Sequence, residues 1–422
     1  MSLEREAAIA ETARTLALRS DPSGDPPVAA HPDLVWRAIR DCGTRLWLDT
    51  GDIEEAGRLW NTEFEALTTN NTLLNREVQK GIYDDLVREA AAALRAAAPD
   101  MDEQRLLLEI AFVLNARHGT RLVRRFGAFV SVELHTDLAD DVERTVAYGR
   151  RYHEVCPERF IVKVPLSPAG LIGARRLSEA GIPVNFTLGF SARQNVLAAL
   201  VARPAFVNVF MGRLNAFVSD NRLGDGRNVG ERATLATQRE LLALRRVGAA
   251  SSQLIGASMR EGTQVGALAG VDVFTMPPKV AADYRAHPLP RPSSRLHDEL
   301  TVATAPGVAL SDFAGATLWE TDGTLRAAAA ELGRQDPRAL TPEHILRRLA
   351  AAGAADLFPE WSAEDIAAAD RGGKIPVYAH WKARLASGRI GLDALMNLAA
   401  FRSFAADQAD FDERVRKLIS AG

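Results

Sequence analysis

The chain has 422 residues, of which 47% are hydrophobic and 25% charged, and its formal net charge is −3. Such a length suits one large domain or two to three small ones, supports a core without covalent staples, and has the composition of an ordinary globular protein. The near-balanced charge argues against a generally basic nucleic-acid binder, so no nucleic-acid partner is expected and any bound anion must meet a local basic site.

Cys42 and Cys156 are the only cysteines and lie far apart, which excludes a disulfide framework and a cysteine zinc site. Glu4, Arg5, Glu6 and Glu11 break up the start, so a secretory signal is not expected there. No run of 18 apolar residues occurs, so no membrane association is expected and a reducing cytoplasm is the default location. Only six of the 51 basic residues are lysines: Lys80, Lys163, Lys279, Lys374, Lys382 and Lys417. In a chain that otherwise uses arginine, a retained lysine is either drift or a place where an amine is required, since only an amine can lose its proton and attack a carbonyl.

In chain order, the first 40 residues read as an Ala/Glu/Arg helix followed by a linker at Asp21–Pro27. Short β-rich runs then alternate with helical patterns. The runs are RLWLD (45–49), ALTTN (66–70), AFVSVEL (128–134), RFIVKV (159–164), IPVNFTL (182–188), AFVNVF (205–210), SQLIGA (252–257) and VDVFTM (271–276). Helical patterns cover 82–97, 137–155, 168–180, 192–202 and 231–248. Eight strand–helix repeats predict an α/β fold, a (β/α)8 TIM barrel with N-terminal and C-terminal helical extensions. A doubly wound sheet is the rival, but LDTGDIEEA after the first strand is neither a G-x-G-x-x-G nor a P-loop. The expected division is a helical extension and linker (1–42), the barrel (43–285), a helical insert (286–390) that follows the Pro/Ser segment HPLPRPSSR, and one or two C-terminal helices packing on the barrel (391–422).

Inward polar groups near strand C-terminal ends form the active site of such a barrel. Lys163 stands in Ile-Val-Lys-Val-Pro, sharing a strand face with Ile161 and Pro165. Burial there disfavours a charged ammonium, and a neutral amine can form a Schiff base with a ketone. The plainer alternative is a lysine that snorkels to water or pairs with a carboxylate. Asp49 closes the first strand and could simply cap the next helix, but Thr50 or Asp52 could cap equally well, leaving Asp49 free for acid/base work. Glu133 is a carboxylate in an apolar run, with a buried ion pair to an arginine as the plain alternative. A turn alone could explain Asn70 and Asn71. Asn185 and Thr187 share one strand face. Arg213 follows the sixth run, and Ser258 and Arg260 follow the seventh. Together they favour a phosphorylated substrate.

In this order the motifs resemble those of the transaldolase family: LDTGDIEEA, LTTNNTLL, VSVEL, FIVKVP, VNFTLGFS, VFMGRL, GASMR and the terminal FRSFAADQ, over roughly 43–285 and 391–419. The resemblance implies that Lys163 forms a Schiff base with the C2 carbonyl of a ketose phosphate. It implies that Asp49 takes the C4 hydroxyl proton and that Glu133 and Thr187 hold a proton-shuttling water. Asn70 and Asn185 would bind the dihydroxyacetone hydroxyls, and Arg213, Ser258 and Arg260 the phosphate. Asn208 occupies the place of a serine that contacts the ketose, and Phe210 and Glu133 stand where simple fructose-6-phosphate aldolases carry Tyr and Gln. No metal and no organic cofactor are implied, sugar phosphates of the pentose phosphate pathway are the implied substrates, and a homodimer is expected. Further departures are Asn71 for proline, Val209 for proline, and Gly189 for a bulkier apolar residue. Lying near the donor site, they leave three readings open: a transaldolase, a Schiff-base aldolase or transferase using another donor or acceptor, and a barrel that only binds.

Overall fold

The computed structural model describes residues 3–19 and 26–420. Eight parallel strands close into one barrel in sequence order. They are β1 (Arg45–Asp49), β2 (Phe64–Thr68), β3 (Phe129–Glu133), β4 (Phe160–Pro165), β5 (Val184–Thr187), β6 (Phe206–Phe210), β7 (Gln253–Ala257) and β8 (Val273–Met276). The predicted (β/α)8 barrel is therefore the observed fold, and each β-rich run matches one strand to within two residues at either end. The second strand begins and ends two residues earlier than expected, so Thr69 and Asn70 lie in the turn beyond it. Its early start includes Glu65, whose carboxylate accepts from the indole N–H of Trp47 and the guanidinium of Arg45 on β1.

The expected helices are present, and further ones follow the strands, among them Asn71–Gln79, Met211–Asp220 and Pro278–Ala286. The pattern at 137–155 is broken: a short 3-10 turn at Thr136–Leu138 precedes the helix Val142–Val155, whose N-terminus is capped by Asp141. A 24-residue helix, Glu103–Phe126, lies between β2 and β3. It is buried nearly all round, including Glu109, Asn115 and His118, so it lacks the polar stripe that marks a surface helix. The linker expected from Asp21 lies outside the described residues as far as Asp25. The N-terminal helix Leu3–Leu18 buries Ile9, Ala13 and Ala17, and packs on the helices Asp84–Ala97 and Glu103–Phe126.

Residues beyond the barrel form an outer layer. The helix Gly323–Leu332 packs on Ala192–Val201, and Pro342–Ala351 packs on Pro168–Glu179. The C-terminal segment is a single helix of 29 residues, Leu392–Ser420. Its first turn is locked to the barrel through Asp393, which accepts from the Ser191 hydroxyl at 2.6 Å and from Arg193 at 2.7 and 2.8 Å. Asp356 of the outer layer takes a further Arg193 bond at 2.7 Å. Losing one partner of such a buried pair costs about 3–5 kcal/mol. The helix that crosses the barrel mouth is thus fixed at its start. No helix among the described residues is long and apolar enough to cross a membrane.

Candidate active site

Glu133, Lys163 and Asn185 are register partners on β3, β4 and β5, so they stand at one height around the barrel. Asp49 pairs with Thr68 at the end of β1 and β2. Parallel strands in register point such residues into the same mouth, at their C-terminal ends. A cavity of about 140 Å³ opens there. It is lined by Asp49, Asn70, Lys163, Asn185, Asn208, Phe210, Arg213, Ser258 and Arg260, all of them residues the sequence singles out. Glu133 and Thr187 lie buried behind this lining.

Lys163 is 4% exposed. Its Nζ donates to the Thr69 carbonyl at 3.2 Å and lies 3.7 Å from Glu133 Oε2. Burial raises the Glu133 carboxyl above its ordinary range. The Lys163 charge and the Asn71 backbone N–H pull it back, and the nearby Asp49 raises it further. Burial also raises the Asp49 carboxyl, against the Lys163 charge, the Thr68 hydroxyl bond at 2.8 Å, and the charges of Arg260 and Arg76. Thr68 in turn shares a 2.6 Å hydrogen bond with Thr275. Capping does not occupy Asp49: Asp52 accepts from the Glu55 N–H at 2.9 Å and starts the helix Ile53–Leu59. The Thr187 hydroxyl is fully buried and has no hydrogen-bond partner among the described residues.

The departures from the expected motifs have physical reasons. Asn71 is the first residue of the helix Asn71–Gln79, and its N–H donates to Glu133 Oε2 at 3.2 Å. A proline at that place has no N–H to give. Proline is nonetheless well tolerated as the first residue of a helix, so Asn71→Pro removes the donor without breaking the element. The expected result is a folded variant whose Glu133 holds its proton to a higher pH, moving the acid limb of the pH–rate profile upward. An unmoved limb would show that this N–H does not tune Glu133.

Asn208 and Gly189 form a matched pair. Asn208 Nδ2 donates to Asn185 Oδ1 at 3.1 Å, its Oδ1 accepts from the Gly189 N–H at 3.3 Å, and Asn195 donates to its backbone carbonyl at 3.0 Å. A β-carbon on Gly189 would sit 2.3 Å from that carbonyl oxygen, so no larger residue fits. Asn185 also donates to Ser131 Oγ at 3.1 Å. Asn70 caps the helix that follows it, accepting from the Leu73 N–H at 2.9 Å, while its side chain still faces the cavity.

At the opposite wall Arg213 is 6% exposed, and its Nη1 has no hydrogen-bond partner among the described residues. Burial and the like charge of Arg260 push its guanidinium down to about 10, opposed by Asp407 and Glu133. It stays charged at neutral pH, so an incoming anion would relieve both the burial and the repulsion. Ser258 takes a left-handed φ of 61°, which presents this loop to the mouth. Gly212 permits the close approach: a β-carbon there would lie 2.1 Å from the Ser258 carbonyl oxygen.

The C-terminal helix contributes Phe404. Its ring lies 5.8 Å from Lys163 Nζ, 5.5 Å from the Arg213 guanidinium and 6.5 Å from the Phe210 ring. Sequence reasoning did not assign Phe404 to the site, although FRSFAADQ carries it. Thr68, Thr275 and Lys374 also line the cavity without having been assigned. Among the described residues no three His, Cys, Asp or Glu side chains converge as a metal site requires.

A closed barrel with a buried lysine, two carboxylates and an arginine wall at its C-terminal mouth defines an enzyme of the (β/α)8 class. Residues 46–317 match the family model described as Transaldolase/Fructose-6-phosphate aldolase. A transaldolase of Xanthomonas campestris pv. campestris is 30% identical over 267 residues, spanning 61% of this chain and 80% of the relative. One from Xanthomonas oryzae pv. oryzae is 29% identical over 266 residues, 61% and 78% of the two chains. A probable transaldolase of Thermus thermophilus is 34% identical over 248 residues, 58% and 92%. The chain belongs to the transaldolase/fructose-6-phosphate aldolase family.

Proposed function

We propose that the protein is a transaldolase-type transferase that moves a dihydroxyacetone unit between sugar phosphates, as in the pentose phosphate pathway, through a Schiff base on Lys163. The observation that carries this reading is the placement of the Lys163 amine. It is buried between Glu133 and the cavity that Asp49 and the two arginines also line. The amine attacks C2 of a ketose phosphate such as fructose 6-phosphate or sedoheptulose 7-phosphate. Loss of water from the carbinolamine leaves an iminium ion, with Glu133 and the unpartnered Thr187 hydroxyl holding the water that carries protons. Asp49, as carboxylate, takes the proton from the C4 hydroxyl. The C3–C4 bond breaks, its electron pair flows toward the iminium nitrogen, and the aldose phosphate leaves. The remaining enamine adds to an aldehyde acceptor, Asp49 returns its proton, and hydrolysis frees Lys163. Asn70 and Asn185 hold the dihydroxyacetone hydroxyls beside Phe210, while Arg213, Ser258 and Arg260 hold the phosphate.

Borohydride trapping tests the reading. After incubation with fructose 6-phosphate and reduction, a dihydroxyacetone-derived mass is expected on the Lys163 peptide. Trapping on another lysine, or none with any ketose phosphate, would sink it. The second reading keeps the chemistry and changes the sugar. It is supported by Asn208, whose amide is engaged with Asn185 and Gly189 where a serine contacts the ketose in the resembling family. Turnover of another ketose in place of fructose 6-phosphate would favour it.

A further inference from the structure

Beyond the family-matched residues, a turn of the outer layer reaches the barrel mouth and places Lys374 in the lining of the cavity that Arg213 and Arg260 also line. The turn is held from both sides. On the N-terminal side the helix Ala363–Gly372 is tied to the C-terminal helix: Arg402 makes two bonds to the Asp370 carboxylate, at 2.7 and 2.9 Å. Gly373 then turns the chain with φ 63° and ψ −136°, a conformation that favours glycine. On the C-terminal side Asn221 donates to the Pro376 carbonyl at 2.9 Å and accepts from the Tyr378 N–H at 2.8 Å. Asn221 ends the helix Met211–Asp220, whose first turn carries Arg213. Thus the segment bearing Lys374 is braced against both the helix of Phe404 and the helix of Arg213.

Lys374 itself makes no hydrogen bond or ion pair among the described residues. An exposed ammonium that lines the same cavity as two guanidinium groups adds to the positive potential at the mouth and favours the entry of an anion. We propose that Lys374 is a third phosphate-binding cation, supplied by the outer layer, that contacts the terminal phosphate of the sugar from the solvent side. The proposal rests on the sugar-phosphate reading above. It makes the outer layer a determinant of substrate choice: the extra cation favours phosphorylated over unphosphorylated sugars.

Inorganic phosphate is the probe, titrated calorimetrically into the full chain at low ionic strength. Lys374→Gln should weaken phosphate binding about five- to tenfold, and Lys374→Arg, which keeps the charge, should stay within about twofold of the parent. The kcat/KM preference for phosphorylated over unphosphorylated acceptors should narrow in Lys374→Gln by the same factor as the binding. Unaltered phosphate binding in Lys374→Gln would overturn the proposal. So would equal weakening in both variants, which would mark a structural role, or no phosphate binding by the parent. Phosphate binding needs no turnover. Lys374-dependent binding in a protein that never traps a ketose on Lys163 would therefore sink the transferase reading alone.

Discussion

Lys163→Arg is expected to abolish sugar-phosphate turnover, with a loss of at least about 10⁴-fold, the scale seen when a covalent nucleophile is removed while its neighbours remain. Arginine keeps the positive charge beside Glu133 and can still donate to the Thr69 carbonyl, so both buried contacts survive in kind. What it lacks is a nitrogen that can lose a proton and bond to carbon at neutral pH. Steady-state assays should show the loss, and reduction with borohydride should leave no adduct. Far-UV circular dichroism and Tm should stay close to the parent. A variant that folds and still turns over would remove Lys163 from the chemistry.

Asp49→Asn separates the steps. The amide still accepts the Thr68 hydroxyl bond but cannot take the C4 proton, so carbon–carbon cleavage should fall by about 10²–10⁴-fold. Imine formation at Lys163 should persist, so that reduction traps the intact ketose rather than the three-carbon fragment. In the parent the acid limb of cleavage should lie above the ordinary carboxylate range, because burial raises Asp49 and only its ionised form is a base. The sign for stability follows from the same shift. Below the unfolded-state value both states hold the proton and the group contributes nothing. As the pH rises past that value the unfolded state releases its proton first, and ionised Asp49 destabilises the fold. Asp49→Asn should therefore melt higher than the parent at neutral pH, with the gap closing at low pH. A lower Tm at neutral pH, or three-carbon adducts formed at the parental rate, would contradict the assignment.

The barrel was legible because each strand is a short, mostly apolar run set between helical patterns, and because buried strands tolerate few polar residues except where the mouth needs them. Lys163, Glu133 and Asn185 stood out for that reason, and the register places them at one height. The helix Glu103–Phe126 was not legible. Its polar residues are buried with its apolar ones, so periodicity gives no face to detect. Phe404 and Lys374 were hidden differently. Phe404 lies in the FRSFAADQ motif and Lys374 in a polar turn, yet only the tertiary path of the chain after β8 brings them to the cavity. Asn71 and Gly189 read as departures, whereas packing shows each to be fitted to its neighbour.

The anchoring of the C-terminal helix also sets an order of events during synthesis. All eight strands leave the ribosome before Phe404 does, so a nascent chain can close its barrel while the mouth around Lys163 is still uncovered. In the folded chain the helix that Asp393 anchors on Arg193 completes the cover, with the Phe404 ring 5.8 Å from the amine. The part of the chain that covers the site thus follows, in sequence, the whole scaffold that orients it.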